Sequence, residues 1–587
     1  MTYLDFIVDP PFNSLISLLI LFSVFGLYKL ANDYFKISLI EFFSLSLIFF
    51  YYFSILFIIS KPYIFFDLKI LLYCFFIFPI FFFYKKINFN FLNNFNFLYL
   101  FFLFIILLVL INSMITPLDA DSFKYHLSYP FNALKNNSFL INKYWFHAHL
   151  IGTGEFINLF GLIFRVDNFV SILNFVFLLI ILKFFISKEI QKSKLKIILV
   201  CLLLISPTCI YSMISTQKFQ FISAIIIAFC IINASFNDNK FSNKHIFVLH
   251  LIFYFACASK YFYYLFIPFL SVIFLIRYYE GEKNLTIKNL FFISFLSFLI
   301  VFFPIFYIKY LYLGNPISPI FTNIDNTLLS FWYLDQSNFD RFNIKALLSL
   351  FFPVSLKVLT SSLGVGLFLI FLNYGKVYNY KKIILIYIFL LIHLIFFQFN
   401  GRSFFSAYLV FIYLFINSKY IQLINNRNIF VFLPQAIISL FIFIYSIFLY
   451  YPSIIDNQKR NEVLSKYGFE YSAFNEINKN IKNNSKTILL MTSNIFFNEK
   501  FISFEPFVSY ESKKPAGKNE INKIFMTELP DYIIYSKNST MHLNNTFACY
   551  IDKEIHTTKN IKISSRNPFN NKYDQYIIYK LKKDFNC

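Results

Sequence analysis

Roughly fourteen stretches of about 20 apolar residues run along this chain, the length that carries a helix across the hydrocarbon of a bilayer. They begin near Asn13, Ser38, Pro62, Phe97, Asn168, Ile197, Thr216, His245, Tyr261, Asn289, Ala346, Lys382, Ser403 and Ile429. In lipid, backbone N–H and C=O groups must be satisfied within the segment, so such stretches fold as helices. The expected fold is therefore an all-α polytopic membrane protein of about 14 transmembrane helices. Composition agrees, since 58% of the 587 residues are hydrophobic and only 14% are charged. One stretch has two readings: the run from Ile246 to Ile276 is interrupted by Ser259-Lys260-Tyr261, which makes it either a tight pair or one broken span.

A net charge of +22 would suggest nucleic acid in a soluble protein. Here the cations collect in alternate short loops: Lys85 and Lys86; Lys188, Lys192, Lys194 and Lys196; Arg277, Lys283 and Lys288; Lys376, Lys381 and Lys382; Lys419 and Arg427. That spacing is the positive-inside pattern, so it predicts a cytoplasmic side and implies no nucleic-acid partner. The N-terminal stretch, with Asp5 and Asp9 and no base, falls on the opposite face. The assignment requires that Leu150 to Phe164 not cross. At about fifteen residues, interrupted by Gly152, Thr153, Glu155 and Asn158, this segment predicts an interfacial amphipathic helix.

From about Tyr451 the chain turns polar, with short β-like runs at 487–491, 532–535 and 575–581 and a helix-like stretch at 472–481. These predict a small soluble α/β domain over 452–587 on the outer face. It has no phosphate-binding glycine loop. Cys74, Cys201, Cys209, Cys230 and Cys257 lie in apolar runs and read as small hydrophobes, leaving Cys549 and Cys587 as the candidates for a disulfide. No CxxC or HExxH motif calls for a metal.

The most polar island beside a span is TPLDADSFKYHLSYPFNALKNNSF, residues 116–139, which sets Asp119, Asp121, Tyr125 and His126 against hydrocarbon. Charge so placed is costly unless hydrated or functional. Lys260, in FACASKYFYYLF, must reach an interface or meet an anion, and Arg402, in FQFNGRSFFSAYL, has the fork geometry for phosphate. His147 and His149 read as hydrogen-bonded interfacial residues, and Lys218 as an interface anchor. Glu155 and Asn158 share one helical face, either lining a pocket or making the helix amphipathic. Asn315-Pro316 predicts a turn.

Asp121, Tyr125 and His126 in DSFKYH fit an Asp-x-x-x-Tyr-His pattern in a first large outer loop, and on these residues the chain resembles the GT-C membrane glycosyltransferases. That family takes sugars from a polyprenyl-phosphate carrier and includes the aminoarabinose transferases of lipid A and the protein O-mannosyltransferases. Further similar segments follow in order: FRVDNFVSILN, the Ser259-Lys260 pair, GNPISP and GRSFFSAYL. Two departures stand out. Ser122 replaces the usual acidic neighbour, and NKYWFHAHL stands where a Lys-Pro-Pro segment belongs.

The resemblance implies extra spans over 1–96, a GT-C-like core over 97–451 with an outer catalytic loop at 117–167, and a periplasmic C-terminal domain. The location it implies is a bacterial inner membrane. It implies an inverting glycosyltransferase moving a sugar from a polyprenyl-phosphate donor to an envelope acceptor, surrounded by membrane lipids. Asp121 would be the general base with Asp119 as a second acid, and Tyr125, His126, Glu155, Lys260 and Arg402 would bind substrate. No cofactor is required; a divalent cation would be compatible with the chemistry, but nothing in the sequence supports one. Two other classes fit parts of the pattern. A lipid-linked-sugar transporter or flippase would show repeated halves, and a polysaccharide polymerase or ligase would rely on a late outer loop, here Asp325, Asp335, Asp340, Arg341 and Lys345.

Overall fold

A computed structural model describes residues 2–60, 97–139, 145–186, 194–204, 206, 209, 216–237, 241–281, 286–318, 348, 350–351, 362–364, 380–396, 401–417, 433–490, 494–503, 525–537, 549–564 and 571–583. The protein is mostly helical, with a small mixed sheet near its C-terminus. Among the described residues four helices are long and apolar enough to cross a bilayer: Phe12–Asn32, Leu39–Ile59, Tyr261–Tyr279 and Ile287–Leu313. That is consistent with a membrane protein. Several other expected spans form apolar helices of 10–17 residues, among them Phe169–Phe185, Gln220–Phe236 and Gly401–Ile416. The starts near Pro62 and Ala346, and the loop carrying Asp325 to Lys345, lie outside the described residues.

The interrupted run is a pair. Asn243–Cys257 ends in a turn, Lys260 is extended (φ −149°, ψ 135°), and Ile267–Tyr279 folds back beside it. Across the pair His250 stacks on Phe274 at 5.5 Å and its Nε2 meets Ser271 Oγ at 3.2 Å. Gln220–Phe236 lies at the centre, buried along nearly its whole length against the helices at 169–185, 243–257, 267–279 and 401–416.

The Leu150–Phe164 expectation needs correction. A helix does form at Thr153–Ile163 and is too short to cross, about 16 Å, but all its residues are buried inside the protein, so it is not a half-exposed interfacial helix. Glycines let neighbouring backbone close on it. A Cβ at Gly152 would come within 2.4 Å of Ala258 O, and one at Gly154 within 2.6 Å of Phe219 Cβ. The polar side chains that interrupt its sequence are spent inside: Thr153 Oγ1 donates to Phe255 O (2.9 Å) and Asn158 Nδ2 to Gln217 O (3.0 Å). These contacts draw the segments around Lys218 and Lys260 toward one helix.

The C-terminal part begins with helices Asn457–Tyr467, capped by Asp456, and Tyr471–Asn480. Five strands follow in the order β2 (Lys500–Ser503), β1 (Lys486–Leu489), β3 (Tyr532–Ser536), β7 (Tyr576–Leu581), β4 (Ile551–Thr557). β1 is parallel to both β2 and β3, whereas β7 is antiparallel to β3 and β4. β5 (Ile561–Ser564) and β6 (Asn571–Asp574) form a separate antiparallel pair. Because side chains alternate along a strand, Leu489, Ile534 and Ile578 join the main core while Ile488, Ile533 and Ile577 build a second one with Phe525 and Tyr550. Cys549 is disulfide-bonded, and Cys587 lies outside the described residues.

This domain packs directly on the polar loop. Phe469 N donates to Leu118 O (3.2 Å), and Phe496 sets its ring edge-to-face on Phe123 (4.7 Å), Tyr471 (5.0 Å) and Tyr3 (5.9 Å). The N-terminus joins the same assembly, since Tyr3 Oη and Asn13 Nδ2 both donate to the buried Asp167 carboxylate (3.2 and 2.6 Å).

Candidate active site

The loop after Phe97–Met114 turns through a π-helical segment, Ser122–His126, closed by Leu127 N donating to Ser122 O at 2.9 Å. Such i→i+5 turns are rare and occur frequently at functional sites, because the wider turn re-aims side chains. Asp119 anchors it. The carboxylate, 3% exposed, accepts from Ser122 N (3.2 Å) and Ser122 Oγ (2.5 Å). Ser122 Oγ in turn accepts from Gln217 N (2.9 Å), and Gln217 Oε1 accepts from Val170 N (3.2 Å). Asp119, expected as a second catalytic acid, is thus turned inward and ties the loop to the segment that carries Lys218.

Asp121 points the other way. Its side chain keeps 38% exposure, and its Oδ2 forms an ion pair with Lys218 Nζ, with Arg402 Nη1 3.8 Å away. Lys218, read from sequence as an interface anchor, is instead 9% exposed and committed to this pair. Its backbone is held from behind, where Asn174 Nδ2 reaches Lys218 O at 3.4 Å. Burial alone would raise the Asp121 carboxyl, but Lys218, Arg402 and Lys124 outweigh it and hold the group well below the ordinary carboxylate range. Asp121 is therefore ionised.

Tyr125, one turn on, accepts from Lys260 Nζ at 2.9 Å, with the same ammonium 5.4 Å from its ring centroid, and stacks on His147 at 5.2 Å. Burial and the Asp121 charge push its phenol up, so it stays protonated. His126 turns into the protein, where its Nδ1 meets Glu155 Oε1 at 2.7 Å; Glu155 Oε2 accepts from Gly152 N at 2.7 Å. Burial outweighs the pull of Glu155 and, with Lys260 and Lys218 nearby, holds His126 below its ordinary value. His126 is thus neutral near pH 7, with Nδ1–H donating to the carboxylate. Expected to touch substrate, His126 and Glu155 are 1–2% exposed and engaged with each other.

The fold thus brings Asp121, Tyr125, Lys260 and Arg402 together and adds Lys218, which reads from sequence as an anchor. Lys218 could have been noticed from its polar company, Thr216, Gln217 and Gln220, at the start of an apolar run. Lys309, buried in the Ile287–Leu313 helix, donates to Ser318 O at 2.7 Å, and Ser318 Oγ meets His149 Nδ1 at 2.6 Å. This closes the GNPISP turn, where Ile317 N donates to Asn315 Oδ1 (2.9 Å), against the WFHAH segment. Among the described residues no group of three or more His, Cys, Asp or Glu side chains is placed to hold a metal ion.

An ionised, accessible carboxylate flanked by cations can do two things. It can take a proton from a nucleophile once those cations are drawn elsewhere, and the cations can hold a negatively charged group. The chain matches no known protein-family model, and no curated protein matches it.

Proposed function

We propose that the protein is a GT-C-type membrane glycosyltransferase that moves a sugar from a polyprenyl-phosphate carrier to an envelope acceptor at the outer face of a bacterial inner membrane. The observation that carries this reading is the Asp121 carboxylate, accessible and ionised between Lys218 and Arg402, with the Tyr125–Lys260 pair one turn away. On this reading the acceptor's hydroxyl or amine attacks the anomeric carbon and gives its proton to Asp121. The bond to the carrier phosphate breaks on the opposite face, and the phosphate leaves with the electron pair. Charge grows on that phosphate in the transition state, where cations aimed at it are worth most. Lys218, Arg402 and Lys260 supply them.

The packing of the C-terminal domain on Leu118 and Phe123 supports placing that domain and the loop on the same face. The test is transfer from labelled lipid-linked sugars in membranes containing wild-type protein or Asp121→Asn at matched levels. Transfer that persists unchanged in the variant defeats the proposal.

A further inference from the structure

A carboxylate acting as base should not rest in a strong ion pair, because the cation that holds its charge also weakens its hold on a proton. Asp121 rests in such a pair, and its partners are the cations that the proposed reaction needs for phosphate. Lys218 cannot serve both anions at full strength. Its side chain is packed, only 9% exposed, so its ammonium has little room to move between two separate sites. Arg402 stands 3.8 Å from the same oxygen, beyond hydrogen-bond reach, and so is placed to turn toward an incoming anion.

We propose that the Asp121 carboxylate is an internal occupant of the prenyl-phosphate site: the phosphate of the donor displaces it from Lys218 and Arg402, and only then does Asp121 become a competent base. This rests on the function proposed above and adds an order to it, donor before acceptor. An acceptor that arrives first finds a carboxylate whose charge is already spent. The coupling is reciprocal: what removes the carboxylate must strengthen phosphate binding, and what removes the lysine must weaken it.

The experiment measures binding of undecaprenyl phosphate to the full chain in phosphatidylcholine nanodiscs, with undecaprenol as the neutral control. Asp121→Asn should bind the phosphate about three- to tenfold more tightly than wild type, and Lys218→Gln several-fold more weakly. In the double variant the gain from Asp121→Asn should largely disappear, because the competition runs through Lys218. Asp121→Ser provides a second removal of the carboxylate should the asparagine variant not assemble. Inorganic phosphate should compete with the prenyl phosphate. Equal competition by phosphatidylglycerol would overturn the assignment to a prenyl phosphate. If wild type binds undecaprenyl phosphate no better than undecaprenol, the glycosyltransferase reading itself fails. If wild type binds it and both carboxylate-free variants bind equally or more weakly, the displacement alone is wrong and the function stands.

Discussion

Asp121 and Glu155 are two of the carboxylates in one loop assembly, beside Asp119, and their surroundings give them different work. Asp121 is 38% exposed and its partners are full charges, Lys218 and Arg402. Glu155 is 2% exposed and its partners are dipoles, the His126 ring and the Gly152 N–H, both at 2.7 Å. A charge-paired and accessible group can be re-partnered by an incoming ion, so it is open to chemistry. A buried group satisfied by short hydrogen bonds can change partner only at the cost of leaving them unpaired, so it belongs to architecture. Through His126, Glu155 fixes the end of the π-helical turn whose start carries Asp121.

The comparison breaks most easily at Asp121. Asp121→Asn should lower transfer from the lipid-linked donor by about 100-fold or more, the scale of a lost general base, while the melting temperature of the purified protein falls only modestly, by less than in Glu155→Ala. A fall in melting temperature as large as that of Glu155→Ala would give Asp121 the same structural role as Glu155. Glu155→Ala should do the reverse. It strips His126 and Gly152 of their acceptor and should cost about 2–4 kcal/mol of stability, read as a lower melting temperature and loss of monodisperse protein. Were Glu155→Ala fully stable but inactive, Glu155 would belong with Asp121.

Acid should separate the two sites as well. His126 is held below its ordinary value by burial, so the unfolded chain binds its proton first. Its contribution is present above roughly pH 6.5 and is lost as pH falls below that. Asp121 is depressed, so its contribution is present above the ordinary carboxylate value of roughly pH 4 and is lost only as pH falls through its lower folded value. Melting temperature should therefore decline in a first step below about pH 6.5, and His126→Gln should make that step smaller and leave the later one. A first step unaltered in His126→Gln would assign it to another group.

The contrast between the carboxylates was only half legible in the sequence. Apolar runs give away helices, and they did so at Phe12–Phe35 and Leu39–Ile59. The strands β1, β3 and β7 were legible for the same reason, since buried on both faces they read as short apolar runs, with Tyr in β3 and β7. β4, with sequence IDKEIHT and an exposed middle, carries no such signal. Asp121 could be singled out because its loop is polar beside an apolar span. Lys218 stood out only by its polar company and could not be placed in the site, because what brings it there is the approach of Phe219 to Gly154, a contact between residues far apart in the chain. Glu155 was visible as an interruption in an apolar stretch, but a helix polar on one side reads the same whether that side faces water or a buried histidine.

Arg402 gives the smallest effect and the finest discrimination. Its guanidinium is 3.8 Å from Asp121 Oδ2 and 38% exposed, so the contact is a screened Coulombic one. Arg402→Lys keeps the charge and should change transfer only two- to threefold, with a dependence on ionic strength. A tenfold or greater loss, insensitive to salt, has a different meaning. It requires the planar fork itself, and therefore a bidentate grip on an oxyanion that a lysine cannot reproduce. Asp121 at 3.8 Å does not receive that grip in the resting protein, so the anion that does must enter with the substrate. Kinetics of Arg402→Lys at two salt concentrations therefore distinguish a guanidinium that meets the donor phosphate as a point charge from one that grips it through the fork.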